Sequence, residues 1–389
     1  MVDNAAEGEM SEMNNPIWLM TSAYPSLSFE QVVEKAEKAG AQGLELCVFR
    51  RDGTRKDHVA THLDYENFTR DDAQRVIDLC NRTGLRVSVG AYENLIGEDE
   101  AESIANQNHL LRLIRIAHLL GGDEADVVAG TFVGYNLDLG RQDHGFEKNL
   151  ERYQKVFTPI IKYAEDLGVT VVYEHCPMEG WRPLSEPMTM NNLPCTLAAR
   201  KLMYALIPSR AHAETYDPSH DVWQHIDPSK VLREMDFSRL RRIHIKATRN
   251  RTDSMATHWG RLFPVQQVDP ELARKAGVPI STNSWDRHNY DPALPGFGGS
   301  DSMDWRAFFD TLNELGYDDR PCVIENEAWN SSHTGNEGAT DQGFRATVLN
   351  TAPLVWPLTD QGYTFDSSRV KPLAAAPEEI PVVTIDKLS

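Results

Sequence analysis

Residues 168–176 read GVTVVYEHC. A glycine closes the preceding helix, an apolar run follows, and a carboxylate and an imidazole stand at its end. Comparable β-rich runs occupy 17–21, 43–49, 85–91, 126–132, 169–176, 211–216, 240–247 and 321–327. Several are nearly continuous apolar segments, the pattern of parallel strands covered on both faces. Between them lie stretches with apolar residues at helical spacing, such as Phe29, Val32, Val33 and Ala36, or Leu110, Leu113, Ile114 and Ala117. Gly40, Gly84, Gly121, Gly168 and Gly316 stand where helices should stop before the next strand. Eight such units admit a closed (β/α)8 barrel or a doubly wound open sheet. No strand is followed by G-x-G-x-x-G or by GxxxxGK[ST], and the GFGGS stretch at 296–300 follows a long loop. No nucleotide cofactor is therefore expected. The eight units favour the α/β (β/α)8 TIM barrel.

The chain has 389 residues, with 39 Lys+Arg against 58 Asp+Glu, a net charge of −19. That charge repels phosphate backbones and anionic lipid, which argues against nucleic acid and membrane partners. No apolar run approaches the ~20 residues of a membrane helix, and the acidic N-terminus lacks the features of a signal peptide. Five scattered cysteines without a CxxC pair read as reduced thiols in a cytoplasmic protein. The expected organisation is a flexible arm over 1–15, a barrel domain over 16–357 and a C-terminal extension over 358–389. The barrel would carry a long insertion at 249–303, with Trp259 and Trp285. Loops of that length inside a domain usually serve as lids or binding elements. The proline-punctuated extension is expected to reach over a neighbour or stay loose.

In a barrel, reactive residues collect at the C-terminal ends of the strands. Strand five ends with Glu174 and His175, and strand six with Glu214, Asp217 and His220. Strand seven carries His244 and Lys246, and strand eight Glu325 and Glu327. Glu174, Asp217, His244 and Glu325 form an oxygen-rich set suited to Mn²⁺, Mg²⁺ or Co²⁺. Each alone reads as a strand-end residue paired with a neighbouring charge. Together, without a cation, the carboxylates would repel one another.

The Glu of strand five, Asp-x-x-His of strand six, His-x-Lys of strand seven and Glu of strand eight resemble the sugar phosphate isomerase/epimerase family of xylose isomerase-like barrels. The likeness runs from IWLMTSAYPSLSFEQVVEKAEKAGAQGLEL at residue 17 to VIENEAW, which ends at residue 329. It implies that Glu174, Asp217, His244 and Glu325 hold a divalent metal and that His220 contacts the sugar. Ketose 3-epimerases, inosose dehydratases and the large subunits of C-glycoside deglycosidases belong to that family. The extra length, the aromatic-rich loop after strand seven, and Trp181 after strand five resemble the deglycosidase large subunit most. Trp181 is then a candidate for substrate binding, and a small β-rich second subunit and an oligomer are implied.

The reaction that the resemblance implies is a metal-dependent lyase cleavage of the C–C bond of 3-oxo-C-glycosides, with proton abstraction at C2 and loss of the aglycone. Its rival is a ketose 3-epimerase, sugar isomerase or inosose-type dehydratase with the same site. Candidate bases are Glu174, Glu325 and His144, the last in GRQDHGF after strand four, where an imidazole titrates near neutral pH. Lys246 should face the same way as His244 and bind a substrate oxygen or neutralise the carboxylates. Alternation turns His175 toward packing; His58, His109 and His118 read as surface or packing residues. A metal-dependent endonuclease would need a basic face that a charge of −19 does not provide. A non-catalytic scaffold would not need four strand-end ligands.

Overall fold

β1 (Ile17–Met20), β2 (Gly43–Cys47), β3 (Arg86–Ala91), β4 (Ala129–Thr131), β5 (Val171–Glu174), β6 (His212–Tyr216) and β7 (Leu240–Ile245) lie parallel, each beside the next. β8 (Ala247–Asn250) and β9 (Tyr290–Ala293) form an antiparallel pair at the base of the inserted segment. β10 (Cys322–Ile324) then joins β7 to β1, with Ile17 beside Cys322 and Leu19 beside Ile324, and closes the barrel. This computed structural model describes residues 13–53, 62–178, 191–252, 255–259, 269–280, 290–295, 301–328 and 336–388. The expected (β/α)8 barrel is what forms. Most of its strands are shorter than the runs read from the sequence, losing residues at either end.

The helices obey the local signals. Ser28 and Gln31 make a reciprocal capping box before the helix Phe29–Ala39, and Thr69 and Asp72 make one before Arg70–Thr83. Phe29, Val32, Val33 and Ala36 are the buried stripe of the first of these helices. The five expected stop glycines all have positive φ, between 62° and 113°, where a side chain would be strained. Gly43 is required for another reason: a Cβ there would lie 2.5 Å from the Trp18 ring. The helix Glu100–Leu119 buries residues nearly all round, including Leu111, Leu113, Ile114 and Ile116. Truncating Leu113 to alanine would cost about 2–5 kcal/mol.

That helix is covered on its outer side by the C-terminal extension, which returns across its own barrel. The Arg115 guanidinium donates to the carbonyls of Phe68 (2.8 Å) and Ile380 (2.7 Å) and pairs with Glu379. Asn81 exchanges two hydrogen bonds with the Leu373 backbone, and Asn108 accepts from the Ile385 amide at 2.8 Å. The extension is thus held by side chains, with little secondary structure of its own. At the other terminus Asn14 and Asn15, the end of the expected arm, are buried, and the Asn15 amide donates to Val355.

Inside the barrel, Val128, Val172 and Ala213 form a small apolar cluster separate from the main core. Glu45, Arg242 and His244 are buried with them, so the barrel interior is partly ionic. Among the described residues, no helix is long and apolar enough to cross a membrane.

Candidate metal centre

Four strand ends meet at one point. Glu174 is the last residue of β5, Asp217 follows β6, His244 lies in β7 and Glu325 follows β10. One donor atom from each can be chosen so that all lie within 4.8 Å of one another, and all four residues are buried. Asp217 also starts the helix Pro218–Trp223, its Oδ1 accepting from the Ser219 amide at 2.9 Å. That turn carries His220 back over the cluster, with Nε2 2.9 Å from Glu174 Oε1 and 3.1 Å from Asp217 Oδ2.

Lys246, two residues beyond His244, faces the same way as expected. Its Nζ lies 2.9 Å from Asp217, 3.0 Å from Glu325 and 3.1 Å from Glu327. One ammonium therefore stands among four carboxylates counting Glu174, all buried except the quarter-exposed Glu327. Burial opposes the Lys246 charge, yet these carboxylates hold its pKa well above the usual value. Burial also pushes the Glu325 carboxyl up; Lys246 draws it down, and the neighbouring Glu327 and Glu174 charges push it up again. Asp217 is held well below the carboxylate range, because Lys246 and His220 outweigh its burial. His220 is held protonated against its burial by the charges of Cys176 and Asp217.

Behind the cluster lies a residue that sequence reasoning missed. Glu45, in the middle of β2, reaches across the barrel so that its Oε2 lies 3.3 Å from His244 Nε2 and 3.3 Å from an Arg242 nitrogen. Tyr92 donates to its other oxygen. Burial would raise the Glu45 carboxyl, but His244 and Arg242 hold it at about 2. Both ring nitrogens of His244 face carboxylates, Nε2 at Glu45 and Nδ1 at Glu325 3.3 Å away, and these charges raise its pKa well above the usual value against its burial. That buried Nδ1 makes no well-formed hydrogen bond. A buried ring nitrogen without one is uncommon, and this one faces into a cluster of further donors. The donor set fits a divalent cation.

The remaining expectations fall out unevenly. His144 caps the N-terminal end of the helix Gly145–Asp166 with φ of 55°. Its side chain is 74% exposed, 3.6 Å from Asp143 and 3.9 Å from Glu147, and it joins none of the contacts just described. His175 turns away, stacked on Tyr216 at 4.9 Å, as strand alternation requires. Glu214 is consumed by a buried pair with Arg200 at 3.0 Å. His109 donates to the Val48 carbonyl at 2.6 Å and His118 pairs with that of Leu167 at 2.8 Å, both in packing. Trp181, His58 and Trp285 lie outside the described residues.

A cavity of about 260 Å³ opens on the same face, lined by Phe132, Met178, Asn94 and Asn191 from the segments after β3, β4 and β5. A larger one, about 610 Å³, lies at the opposite end, between Trp18, Arg86 and the C-terminal extension. None of the strand-end donors lines either cavity; the smaller lies on their face of the barrel.

This closed barrel and its ring of buried donors define a class, and the sequence agrees: residues 33–348 match the family of xylose isomerase-like TIM barrels. The chain belongs to that family. Three solved structures are similar in fold. The first is the IOLI protein with a bound zinc atom (15% identity, 88% of this chain and 99% of that one, TM-score 0.55). The second is a probable 3-DHS dehydratase of petrobactin synthesis from Bacillus anthracis (15% identity, 86% and 98%, TM-score 0.53). The third is the 3-keto-D-glucoside 4-epimerase from E. coli (13% identity, 86% and 98%, TM-score 0.52). No curated protein sequence matches the chain significantly.

Proposed function

We propose that the chain is a divalent-metal-dependent lyase that cleaves the C–C glycosidic bond of 3-oxo-C-glycosides. The observation that carries the reading is the meeting of four buried strand-end donors, Glu174, Asp217, His244 and Glu325, within 4.8 Å of one another. Glu174, Asp217, His244 and Glu325 would hold the cation, with Mn²⁺, Mg²⁺ or Co²⁺ suiting the oxygen-rich set. The bound cation supplies an electrophile for the C3 ketone oxygen, which acidifies the C2 proton.

The other tasks fall to the chain's own side chains. Glu174 or Glu325 takes the C2 proton from a substrate lying over the cluster. Lys246 Nζ, held by Asp217 and Glu325, donates a hydrogen bond to the oxygen where charge develops. His220 orients a sugar hydroxyl through the nitrogen that now faces Glu174. The electron pair left at C2 expels the aglycone carbon from C1, and that carbon must receive a proton as it leaves. We assign Trp181 to substrate binding and His144, exposed and outside the buried cluster, to this outer transfer. Phe132 and Met178 give the neighbouring cavity an apolar wall for an aromatic aglycone.

The similar structures support a sugar-modifying reading in general: one holds zinc, one is described as a dehydratase and one acts on a 3-keto-glucoside. A second reading has its own support. Glu174 ends β5 and Glu325 follows β10, with β6 and β7 between them, and two carboxylates flanking one carbon are what a ketose 3-epimerase needs. Metal-replete protein incubated with a 3-oxo-C-glucoside should release free aglycone, with the unoxidised glycoside inert and chelator abolishing the reaction. Turnover of free ketoses without aglycone release would transfer the assignment to the epimerase. A small β-rich second subunit and a higher oligomer belong to the same proposal, with exposed Leu272 on the inserted segment and Leu358 as docking points. A fully active monomer in size-exclusion chromatography would remove both.

A further inference from the structure

We infer that the cavity at the base of the barrel is a separate binding site, built for a planar aromatic molecule that carries one carboxylate. Its volume is about 610 Å³, within the roughly 300–1,000 Å³ of small-molecule sites. The barrel supplies Trp18 and Arg86 to its wall, and the C-terminal extension supplies Phe365, Lys371, Pro372 and Pro377. No strand-end donor lines it, so the inference stands apart from the proposed function.

The walls are fixed before any ligand arrives. Trp18 is buried over Gly43, which leaves no room for a side chain, and the Arg242 guanidinium lies 5.3 Å from its ring. Phe365 packs against Trp356, with ring centres 6.1 Å apart. The backbone of the extension is pinned beside the cavity. Asn14 Nδ2 donates to the Asp366 carbonyl at 3.1 Å, and Gln74 Oε1 accepts from the Ala376 amide at 3.0 Å. Rings and prolines that are already ordered lose little entropy when a flat apolar group packs on them.

The charge on these walls is unbalanced. Arg86 donates to the carbonyls of Leu85, at 2.7 Å, and of Lys371. Among the described residues neither Arg86 nor Lys371 pairs with a carboxylate. Burial pushes the Arg86 pKa down, and Cys80 opposes it. The lining acids are turned elsewhere: Asp123 and Asp126 to Arg241, at 3.3 and 2.8 Å, and Asp319 to Arg369. Glu124 is exposed. A carboxylate entering beside the rings would meet a half-buried guanidinium, where a charge-assisted hydrogen bond is strong. His118 Nδ1 is engaged by the Leu167 carbonyl, which leaves the wall without a poised acid and base pair. The site binds its ligand and does not transform it.

Calorimetric titration of the full chain with naphthoate, and with the neutral naphthamide, tests this. One naphthoate should bind per chain, and naphthamide about 10-fold or more weakly. Arg86→Gln should weaken naphthoate about 10-fold and leave naphthamide unchanged. Ala375→Trp removes no charge and fills the cavity, so it should abolish binding of both. An unchanged circular dichroism spectrum shows that each variant is folded, and the comparison of the two probes on the wild type needs no variant. No naphthoate bound to the wild type overturns the inference, and so does equal affinity for naphthamide. Binding that persists in Ala375→Trp places the ligand elsewhere and overturns it too.

Discussion

His244 stands between two carboxylates, with Nε2 3.3 Å from Glu45 and Nδ1 3.3 Å from Glu325. With a cation bound at Nδ1, the first contact would keep the proton on Nε2. A carboxylate behind a ligating imidazole orients it and raises its basicity. Glu45→Gln keeps the volume and weakens the acceptor. Metal affinity measured by competition with a chelator should fall about 10- to 100-fold. An affinity equal to wild type would show that Glu45 serves the fold alone.

Removing the imidazole itself is a harsher test. His244→Ala should leave the oxygen-rich site empty after dialysis against a weak chelator, with the protein still folded. Elemental analysis showing full occupancy of that site would dismiss the ligand set Glu174, Asp217, His244 and Glu325.

His144 separates the two proton transfers. In His144→Ala, aglycone release should fall by on the order of 10²–10⁴ while metal stays bound. Exchange of the C2 proton with deuterated solvent, followed by NMR, should continue. Loss of exchange would make His144 the C2 base; undiminished release would return both transfers to the glutamates.

Two buried histidines set an acid limit on stability. Burial lowers the pKa of both His109 and His212 to about 4, despite their hydrogen bonds to the Val48 and Ile207 carbonyls. The unfolded chain has the ordinary value near ~6.5, so below that pH it binds protons that the folded chain refuses. Their contribution is complete above pH ~6.5 and is lost as pH falls toward 4. Each accounts for roughly 2–3 kcal/mol at pH ~4.5, from ~1.4 kcal/mol per pKa unit. Urea unfolding at both pH values should show His212→Gln losing less on acidification than wild type. Equal losses would place the acid sensitivity elsewhere.

Arg115→Ala should free the C-terminal extension. It removes a buried guanidinium with partners at Phe68, Ile380 and half-exposed Glu379, at a cost of about 1–3 kcal/mol. Limited proteolysis should then cut within 371–388 before the barrel is touched. Resistance equal to wild type would mean that other contacts hold the extension.

Much of the centre could be read from the chain because parallel barrels put strand ends together, and Glu174, Asp217, His244 and Glu325 each follow or close an apolar run. Glu45 could not. It lies between Leu44 and Leu46, where one polar residue in a strand reads as simple alternation, and its partner is 199 positions away. Only closure of the barrel brings β2 opposite β7. The extension was opaque for another reason: prolines and alanines with no period leave no face to recognise, and its anchors Asn81, Asn108 and Arg115 are polar helix residues that nothing in the sequence distinguishes from solvated ones. His144 shows the limit from the other side, since residue type and loop position suggested chemistry but did not give its distance from the cluster.

The barrel closes through β1 and β10, with Ile17 beside Cys322. On the ribosome, chains grow at about 5–20 residues per second, so β1 waits roughly 15–60 s for its second neighbour. Through that interval an entirely apolar strand, IWLM, presents an unpaired edge. The nascent chain is thus a natural client for a holding chaperone, and yield on expression should respond to the speed of translation as much as to the stability of the finished fold.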